Sequence, residues 1–256
     1  MVAPVTKRVL ITVKAYPNPS KRYGETVCCA GIDVDSLEWL RLYPIPFRDL
    51  DTSQKFKKYT IIRVGCWKAP DDHRVESYKI DSDSIEKLSH LDTKRKWEDR
   101  KKIVIPTVSH SFCNILQDIA QSKSLGAFKP CDIEFSWEKA VLESEAKRKA
   151  CYAQLSFFDT KKEAIEQIPF DFYYHFKCED ETNCPGHKLP IIDWEIGQAY
   201  RDWHNRYKPQ ALLLEKIKER WLNRICSDNN DVYFFVGNMN RFRDQFMILG
   251  VFYPKK

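Results

Sequence analysis

The chain has 256 residues, of which 43% are hydrophobic and 30% are charged. It can therefore bury a sizeable core, and its composition excludes a largely disordered protein. Its longest apolar stretches, residues 9–13 and 247–253, are far shorter than the roughly 20 residues that span a bilayer, and the N-terminus lacks the pattern of a secretory signal. The nine cysteines are scattered, which excludes a dense disulfide scaffold. We therefore expect a cytoplasmic protein with reduced thiols and no membrane partner.

The net charge of +6 is concentrated in the first part of the chain. Residues 1–110 contain 21 lysines and arginines against 15 aspartates and glutamates, whereas residues 111–256 contain 21 of each. Clustered positive charge favours a polyanionic partner, because neutralising phosphates releases bound counterions. The asymmetry therefore indicates nucleic acid as a partner, although ordinary soluble proteins also carry a moderate positive charge.

The first third of the chain is rich in β-branched and apolar segments, which predict strands. These strands cover residues 7–13, 26–32, 39–43 and 59–67. A short turn makes the second and third of them a hairpin. We therefore predict a β-rich basic lobe over residues 1–110.

The remainder of the chain combines helical patterns with two further strands. The predicted helices cover residues 84–102, 111–121, 137–148, 194–207 and 209–225, with loops at Gly126 and Pro130. Strands over residues 232–236 and 246–253 form a closing hairpin. We predict an α+β fold in which a helical lobe, residues 111–256, carries this hairpin back to the N-terminal sheet. The two lobes are either separate domains or parts of one.

Several enzyme classes lack their sequence signatures in this chain. The glycines are isolated, so that no phosphate loop, dinucleotide fingerprint or nucleophile elbow is present. Five histidines have no recognisable nucleophile or carboxylate partner in sequence that would suggest a catalytic triad: His73, His90, His110, His175 and His204. These observations argue against a nucleotide-dependent enzyme and favour a protein without catalytic activity.

Cys178, Cys184 and His187 lie within ten residues in a polar loop, and zinc favours such sulfur and nitrogen ligands. A structural zinc site needs four ligands, and the fourth is not local. The candidates for it are Cys28, Cys131, Cys151 and His175. The alternative is a surface turn with reduced cysteines, because five residues between the two cysteines is a looser spacing than usual.

Asp193 and Glu195 follow this loop, and together with His187 they could hold a divalent ion that activates water. That arrangement would make the protein a metal-dependent phosphodiesterase or nuclease. Asp193 also stands where a helix begins, however, so that capping of the helix explains it without catalysis. Both interpretations stay open at this point.

Three groups of residues are candidates for contact with nucleic acid. In the predicted hairpin, strand alternation puts Trp39, Arg41 and Tyr43 on one face, with Arg48 just beyond it. The other two groups are a basic cluster and a hairpin tip: Lys94, Arg95, Lys96, Arg100, Lys101 and Lys102, and Arg241 and Arg243. The alternatives are a sheet buried on both sides and a solvated helical face.

The N-terminal hairpin also carries a resemblance to a known family. Its segments read Cys29-Ala30-Gly31-Ile32 and, after a short turn, Trp39-Leu40-Arg41-Leu42-Tyr43-Pro44. This pattern resembles the opening of bacterial dual-OB domains, which occur in proteins of unknown function. The resemblance implies an OB-like, mainly antiparallel β-barrel flanked by the helices, a surface that commonly binds nucleic acid, and an association with bacterial defence or mobile-element systems.

The leading hypothesis is therefore a nucleic-acid-binding module with a structural zinc loop. The first rival is the metal-dependent phosphodiesterase described above. The second is a protein-interaction module whose exposed aromatic side chains serve a protein partner. The sequence leaves the choice between DNA and RNA, and the oligomeric state, open.

Overall fold

The structure is a computed structural model that describes residues 4–15, 18–20, 24–47, 49–142, 167–179 and 183–256. In the first part of the chain the described strands are β1 (Val5–Lys14), β2 (Asn18–Ser20), β3 (Gly24–Asp33), β4 (Trp39–Ile45), β5 (Thr60–Lys68), β6 (Ser77–Ile80) and β7 (Glu86–His90). A 3-10 helix, Ser82–Ser84, separates the last two. This part of the molecule is therefore mainly β, as the sequence predicts.

Five of these strands form a closed barrel. Their order is β1, β3, β4, β6 and β5, and β5 pairs back with β1. All neighbours are antiparallel except β4 and β6, which are parallel. The barrel closes tightly where β3 crosses β1, because a Cβ atom on Gly31 would lie 2.3 Å from the carbonyl oxygen of Leu10. The prediction of an α+β fold with an OB-like barrel is confirmed.

Helix α1 (Lys94–Val104) ends the first part of the chain, and the second part contains the helices α2 (Phe112–Gln117), α3 (Trp194–Trp203) and α4 (Gln210–Lys218). Its strands are β8 (Leu125–Phe128), β9 (Pro130–Lys139), β10 (Phe170–Cys178), β11 (His187–Pro190), β12 (Tyr233–Met239) and β13 (Phe242–Phe252). Helix α4 continues as a π-helical segment, Glu219–Ile225, and 3-10 turns cover Ile105–Thr107 and Asp118–Gln121.

Three predicted elements differ from the observed ones. The segment predicted as a helix over residues 84–102 is a strand at Glu86–His90, and the helix begins only at Lys94. Gly126 and Pro130 lie in strands β8 and β9 and not in loops, and the helix predicted from Trp137 onwards is strand β9 as far as Lys139. The rest of that predicted helix, residues 143–148, lies outside the described residues.

The C-terminal hairpin pairs with β8 and not with the barrel, so the prediction that it returns to the N-terminal sheet is wrong. It contacts the barrel through side chains instead. A single apolar cluster joins Leu10 and Ile32 of the barrel to Phe235, Leu249 and Phe252 of the hairpin, all of them buried. Apolar burial therefore holds the hairpin against the barrel, while the backbone of its first strand, β12, pairs with β8 and β13.

The second part of the chain repeats the strand order of the barrel. Its two three-stranded sheets, β11-β10-β9 and β13-β12-β8, are joined by the continuous run of β8 into β9. A parallel bridge between Ile191 and Ile248 joins their other edges, with a backbone hydrogen bond of 2.9 Å from Ile192 to Ile248. If the bent β8–β9 run is taken as one strand, the strands of the second part follow the order β8/β9, β10, β11, β13, β12 and back to β8/β9. This is the order of β1, β3, β4, β6 and β5 in the barrel, and in both cases the third and fourth strands of that order are the parallel neighbours.

The first turn of α1 has an unusual backbone. Arg95, Lys96 and Trp97 have φ values of 49°, 54° and 65°, which lie in the left-handed region. This conformation costs roughly 1–2 kcal/mol for each residue that carries a side chain. Trp97 is packed against Phe252 and Tyr253, at ring-centroid distances of 5.4 and 5.0 Å, and this packing holds the segment in place.

Candidate functional site

Four potential metal ligands meet at one end of the second lobe. Cys178 is the last residue of β10, and Cys184 and His187 flank the tight turn before β11, in which Gly186 has a φ of +81°. The fourth ligand is Cys113, the second residue of α2. Three separate elements therefore bring three sulfur atoms and one imidazole nitrogen together.

The four ligand atoms all lie within 4.8 Å of one another. The Nε2 atom of His187 is 3.2 Å from the Sγ of Cys184, 3.4 Å from that of Cys113 and 3.7 Å from that of Cys178. The Sγ atoms of Cys113 and Cys178 are 3.8 Å apart. Ligands of a tetrahedral zinc ion, with Zn–S near 2.3 Å and Zn–N near 2.0 Å, lie about 3.5–3.8 Å apart. The spacing therefore fits a tetrahedral metal ion.

The surroundings of the cluster also fit a cation. Burial, together with the neighbouring thiols of Cys178 and Cys184, raises the pKa of the Cys113 thiol to about 12. Burial also favours the neutral Cys184 thiol, but the backbone amides of Cys178 and Gly186 donate to its sulfur and lower its pKa below the usual value. Burial lowers the pKa of His187, which keeps its ring neutral. A bound cation would stabilise the thiolate forms, which burial and the neighbouring sulfur atoms disfavour in its absence.

The predicted cluster of Cys178, Cys184 and His187 is confirmed, but none of the described candidates for the fourth ligand belongs to it. The Sγ of Cys28 is close to the guanidinium of Arg41, at 3.7 Å, and the Nε2 of His175 is 2.7 Å from the Oγ of Ser136. Cys131 lies in β9 outside the cluster, and Cys151 lies outside the described residues. No local pattern marks Cys113 as a ligand, because it stands alone in sequence on the helix that Ser111 caps.

The alternative catalytic set, His187, Asp193 and Glu195, does not form a metal-ligand group among the described residues. The Nε2 of His187 faces the three sulfur atoms. Asp193 caps α3 by accepting a hydrogen bond of 3.1 Å from the backbone amide of Glu195, so the capping interpretation is confirmed. The geometry therefore assigns His187 to the cysteine cluster and Asp193 to the start of a helix.

Asp193 also forms a buried ion pair with Lys58, which precedes β5 of the barrel. Both carboxylate oxygens lie 2.7 Å from the Nζ of Lys58, and Asp193 is only 4% exposed. Burial opposes the charge of Lys58, but the carboxylates of Asp193 and Glu195 outweigh burial and raise the pKa of the ammonium. Burial raises the pKa of Asp193 to about 6, against the opposing effect of Lys58. The pair ties the barrel to the second lobe.

The predicted aromatic and arginine face of β4 is covered by the second lobe. Arg41 is buried and donates to the carbonyl oxygen and the hydroxyl of Ser124, at 3.2 and 3.1 Å. The ring of Trp39 packs edge-on against Phe235 at 5.5 Å. Arg41 therefore cannot reach a nucleic acid in this structure, and the interpretation as a sheet buried on both sides holds for it, whereas Trp39 is half-buried. Tyr43 is exposed, and Arg48 lies outside the described residues.

The basic cluster at α1 is mostly exposed. The side chain of Lys94 is 84% exposed, and Lys96 is exposed as well. Arg95 and Lys102 pair with acidic residues of the same helix, which screens part of their charge, and Lys101 is half-buried. The prediction that Arg100 contacts nucleic acid is wrong, because Arg100 is buried and donates two hydrogen bonds to the carbonyl oxygen of Leu91.

The predicted basic hairpin tip is at the surface. Arg241 is exposed and Arg243 is half-buried beside β13. The tip contacts the loop between β5 and β6, where Arg74 donates to the carbonyl oxygen of Asn238 at 2.7 Å. The cluster at α1 adjoins the opposite end of β5, and nine strand residues span about 27 Å. The two basic groups are therefore at different ends of the barrel.

A cleft of about 410 Å³ lies between the two lobes. Its lining combines basic and aromatic side chains with one exposed carboxylate and residues from both lobes. The lining residues are Lys14, Lys57, Lys58, Tyr59, His90, Thr93, Trp97, Arg100, Trp194, Glu195, Val251 and Tyr253. Sequence reasoning singled out Arg100 and Glu195 among them but missed the cleft, because its residues come from six separate segments.

Two family models match the chain. Residues 5–106 match a Domain of unknown function (DUF8758), and residues 108–256 match a Domain of unknown function (DUF8757). No curated protein shows significant similarity to the chain. Across the part of the chain that the structure describes, helices are too short or too polar to cross a membrane.

Proposed function

We propose that this chain, which belongs to the family described as Domain of unknown function (DUF8757), binds nucleic acid beside its interlobe cleft and uses a zinc ion to brace its second lobe. The observation that carries the proposal is the convergence of cations from separate segments. Lys14 ends β1, Lys57 precedes β5, and Thr93 at the start of α1 lines the same cleft. Lys94 follows Thr93 directly in the chain.

The charges at the cleft mouth suit a phosphate backbone. Lys57, Lys94 and Lys96 are exposed, so a phosphate backbone can reach their ammonium groups without a rearrangement of the protein. Lys14 is half-buried, with its ammonium 3.4 Å from the ring centroid of Phe47 and 5.0 Å from that of Trp194. Cations interleaved with aromatic rings are typical of surfaces that bind single strands.

The four-ligand cluster supports a structural role for the metal. Three sulfur atoms and one nitrogen complete a tetrahedron, whereas a catalytic zinc ion keeps one position open for water. Thiolate-rich sites favour zinc over magnesium or calcium. The ion would link α2 to the β10–β11 hairpin, and it would act as a brace and not as a reaction centre.

Binding is tested with labelled single- and double-stranded DNA and RNA at two salt concentrations. A triple variant, Lys57→Ala, Lys94→Ala and Lys96→Ala, should weaken binding at least about tenfold and reduce the salt dependence by about 0.7–0.9 per lost phosphate contact. A matched control, Lys123→Ala, Lys139→Ala and Lys177→Ala, removes the same charge from exposed positions of the second lobe. Absence of salt-sensitive binding to all four nucleic acids would refute the proposal, and equal losses in both variants would refute the location.

The metal is tested by elemental analysis of protein purified without chelator. We expect about one zinc ion per chain. Cys113→Ser should lose it, whereas Cys131→Ser, which changes a half-buried cysteine outside the cluster, should retain it. Zinc retained by the Cys113 variant at the wild-type level would contradict the assignment.

A further inference from the structure

We infer that the interlobe cleft holds a single nucleotide, with the base against the aromatic side chains and the phosphate near Lys14 and Lys57. The inference rests on the proposed function and adds a specific pocket to it. The same chemistry could reach the cleft as one unit of a bound strand or as a free nucleotide. The experiment below separates these two sources.

The volume and lining of the cleft fit a ligand of this size. Binding sites for small molecules usually enclose roughly 300–1,000 Å³, and this cleft encloses about 410 Å³. Trp97 and Tyr253 pack together on one side, with ring centroids 5.0 Å apart. Trp194 belongs to the start of α3, where its ring lies edge-on to Phe47. Aromatic rings from three separate segments therefore line one space, an arrangement that can stack a base.

Not every aromatic ring in the cleft is available for stacking. The guanidinium of Arg100 lies 3.9 Å from the ring centroid of Tyr59 and 4.7 Å from that of Trp97. Tyr59 is also buried, so it forms part of the floor. Trp194 and Tyr253 are only half-buried, and they are the rings that a ligand would meet first.

The charges in the cleft favour an anion. Asp193 and Glu195 both pair with Lys58, at 2.7 and 3.4 Å, so these two carboxylates exceed the charge of Lys58 by one. Lys14, Lys57 and Arg100 add three further cations to the lining, which leaves the cleft with a net positive charge. A ligand that carries both an aromatic ring and a negative charge satisfies the two features together, and a nucleotide is such a ligand.

The left-handed backbone at the start of α1 gives an independent reason to regard the cleft as functional. Arg95, Lys96 and Trp97 all keep a conformation that side chains disfavour. Strained backbone concentrates at binding and catalytic sites, where the surrounding structure holds it. Here it sets Trp97 in the cleft wall while Lys96 stays exposed beside it.

The test uses the full chain and isothermal titration with AMP, GMP, CMP and UMP at low salt. At least one monophosphate should bind, and Trp194→Leu should weaken it by about 5- to 150-fold, the range expected for the loss of one stacking contact. Lys14→Met, which keeps the apolar stem of the side chain, should weaken it at least about tenfold, the effect of losing one charged hydrogen bond. Lys68→Met removes an exposed lysine that lines a different cavity, and should leave binding unchanged.

A single strand with 2-aminopurine in place of one base provides the second readout, because stacking on an aromatic ring quenches its fluorescence. Quenching that Trp194→Leu abolishes, while salt-sensitive strand binding persists, would support a base held from a strand. Monophosphate binding without strand binding would leave the inference standing, with a free nucleotide as the source, and would refute the proposed function. Strand binding with neither monophosphate binding nor quenching would refute the inference and leave the proposed function intact.

Discussion

The buried pair between Lys58 and Asp193 should be among the most sensitive positions in the molecule. Asp193→Ala would leave the Lys58 ammonium without its closest partner at a site where both side chains are at most 10% exposed. Removing one member of a buried pair costs about 3–5 kcal/mol, and loss of the helix cap of α3 costs about 1 kcal/mol. We therefore expect the free energy of unfolding to fall by about 4–6 kcal/mol, a large share of the roughly 5–15 kcal/mol that stabilises a typical protein.

The assay is urea unfolding followed by circular dichroism at pH 7. The double variant Lys58→Met and Asp193→Leu should lose much less stability than Asp193→Ala, because it leaves no buried charge unpaired and the carboxylate of Glu195 is exposed. Glu86→Ala serves as the control, since it breaks the exposed pair with Arg63, which should be worth only about 0.2–1 kcal/mol. If Asp193→Ala costs no more than Glu86→Ala, the reasoning about burial is wrong.

Three further predictions concern the barrel, the cleft and the metal site. Gly31→Ala should lower the free energy of unfolding by at least about 2 kcal/mol, because its Cβ would meet a backbone oxygen. Gly65→Ala is the control and should cost less, because its Cβ would meet only a serine side chain, at 3.2 Å. Equal losses of stability in urea unfolding would contradict this prediction. Burial, reinforced by Lys58 and opposed by Cys29 and Glu195, lowers the pKa of Lys14 to about 8. The lysine is therefore a cation below that pH, and the affinity for a nucleoside monophosphate, measured by titration, should fall from pH 7 to pH 9. Lys14→Arg should keep the affinity constant over this range, because arginine stays charged. A decline of the same size in that variant would point to another group. Adding a chelator should expose Cys184, whose pKa lies below the usual value for a thiol, to alkylation detected by mass spectrometry, and an unchanged rate would argue against a bound metal.

Local sequence patterns predicted the barrel well, because its strands β1, β3, β4 and β5 each contain a dense run of β-branched or apolar residues. They failed at β7, where all five residues are exposed. Its charged and polar sequence resembles that of a solvent-exposed helix, so the strand was predicted as part of a helix. Gly126 was assigned to a loop, yet it lies in β8. A Cβ atom at this position would lie 2.8 Å from the side chain of Ile115, so the position requires glycine. In that case close packing selects the glycine, and single-residue preferences do not report such packing.

The candidate site shows a similar division between local and distant information. Cys178, Cys184 and His187 lie within ten residues, so the sequence could identify the loop as a candidate metal site, with a surface turn as the alternative. Cys113 is 65 residues from Cys178, and only the fold brings their sulfur atoms to 3.8 Å. For the same reason Arg41 was assigned to a binding face, because its hydrogen bonds to Ser124 connect residues 83 positions apart.

The shared apolar cluster between the lobes has a consequence for how the chain can be divided. The two family models meet near residue 107, but the side chains of Leu10 and Ile32 on one side and of Phe235 and Phe252 on the other are covered only when both halves are present. A fragment that ended at the boundary would present this surface to water and would tend to associate through it. The two halves match separate family models, yet in this chain each protects an apolar surface of the other from water.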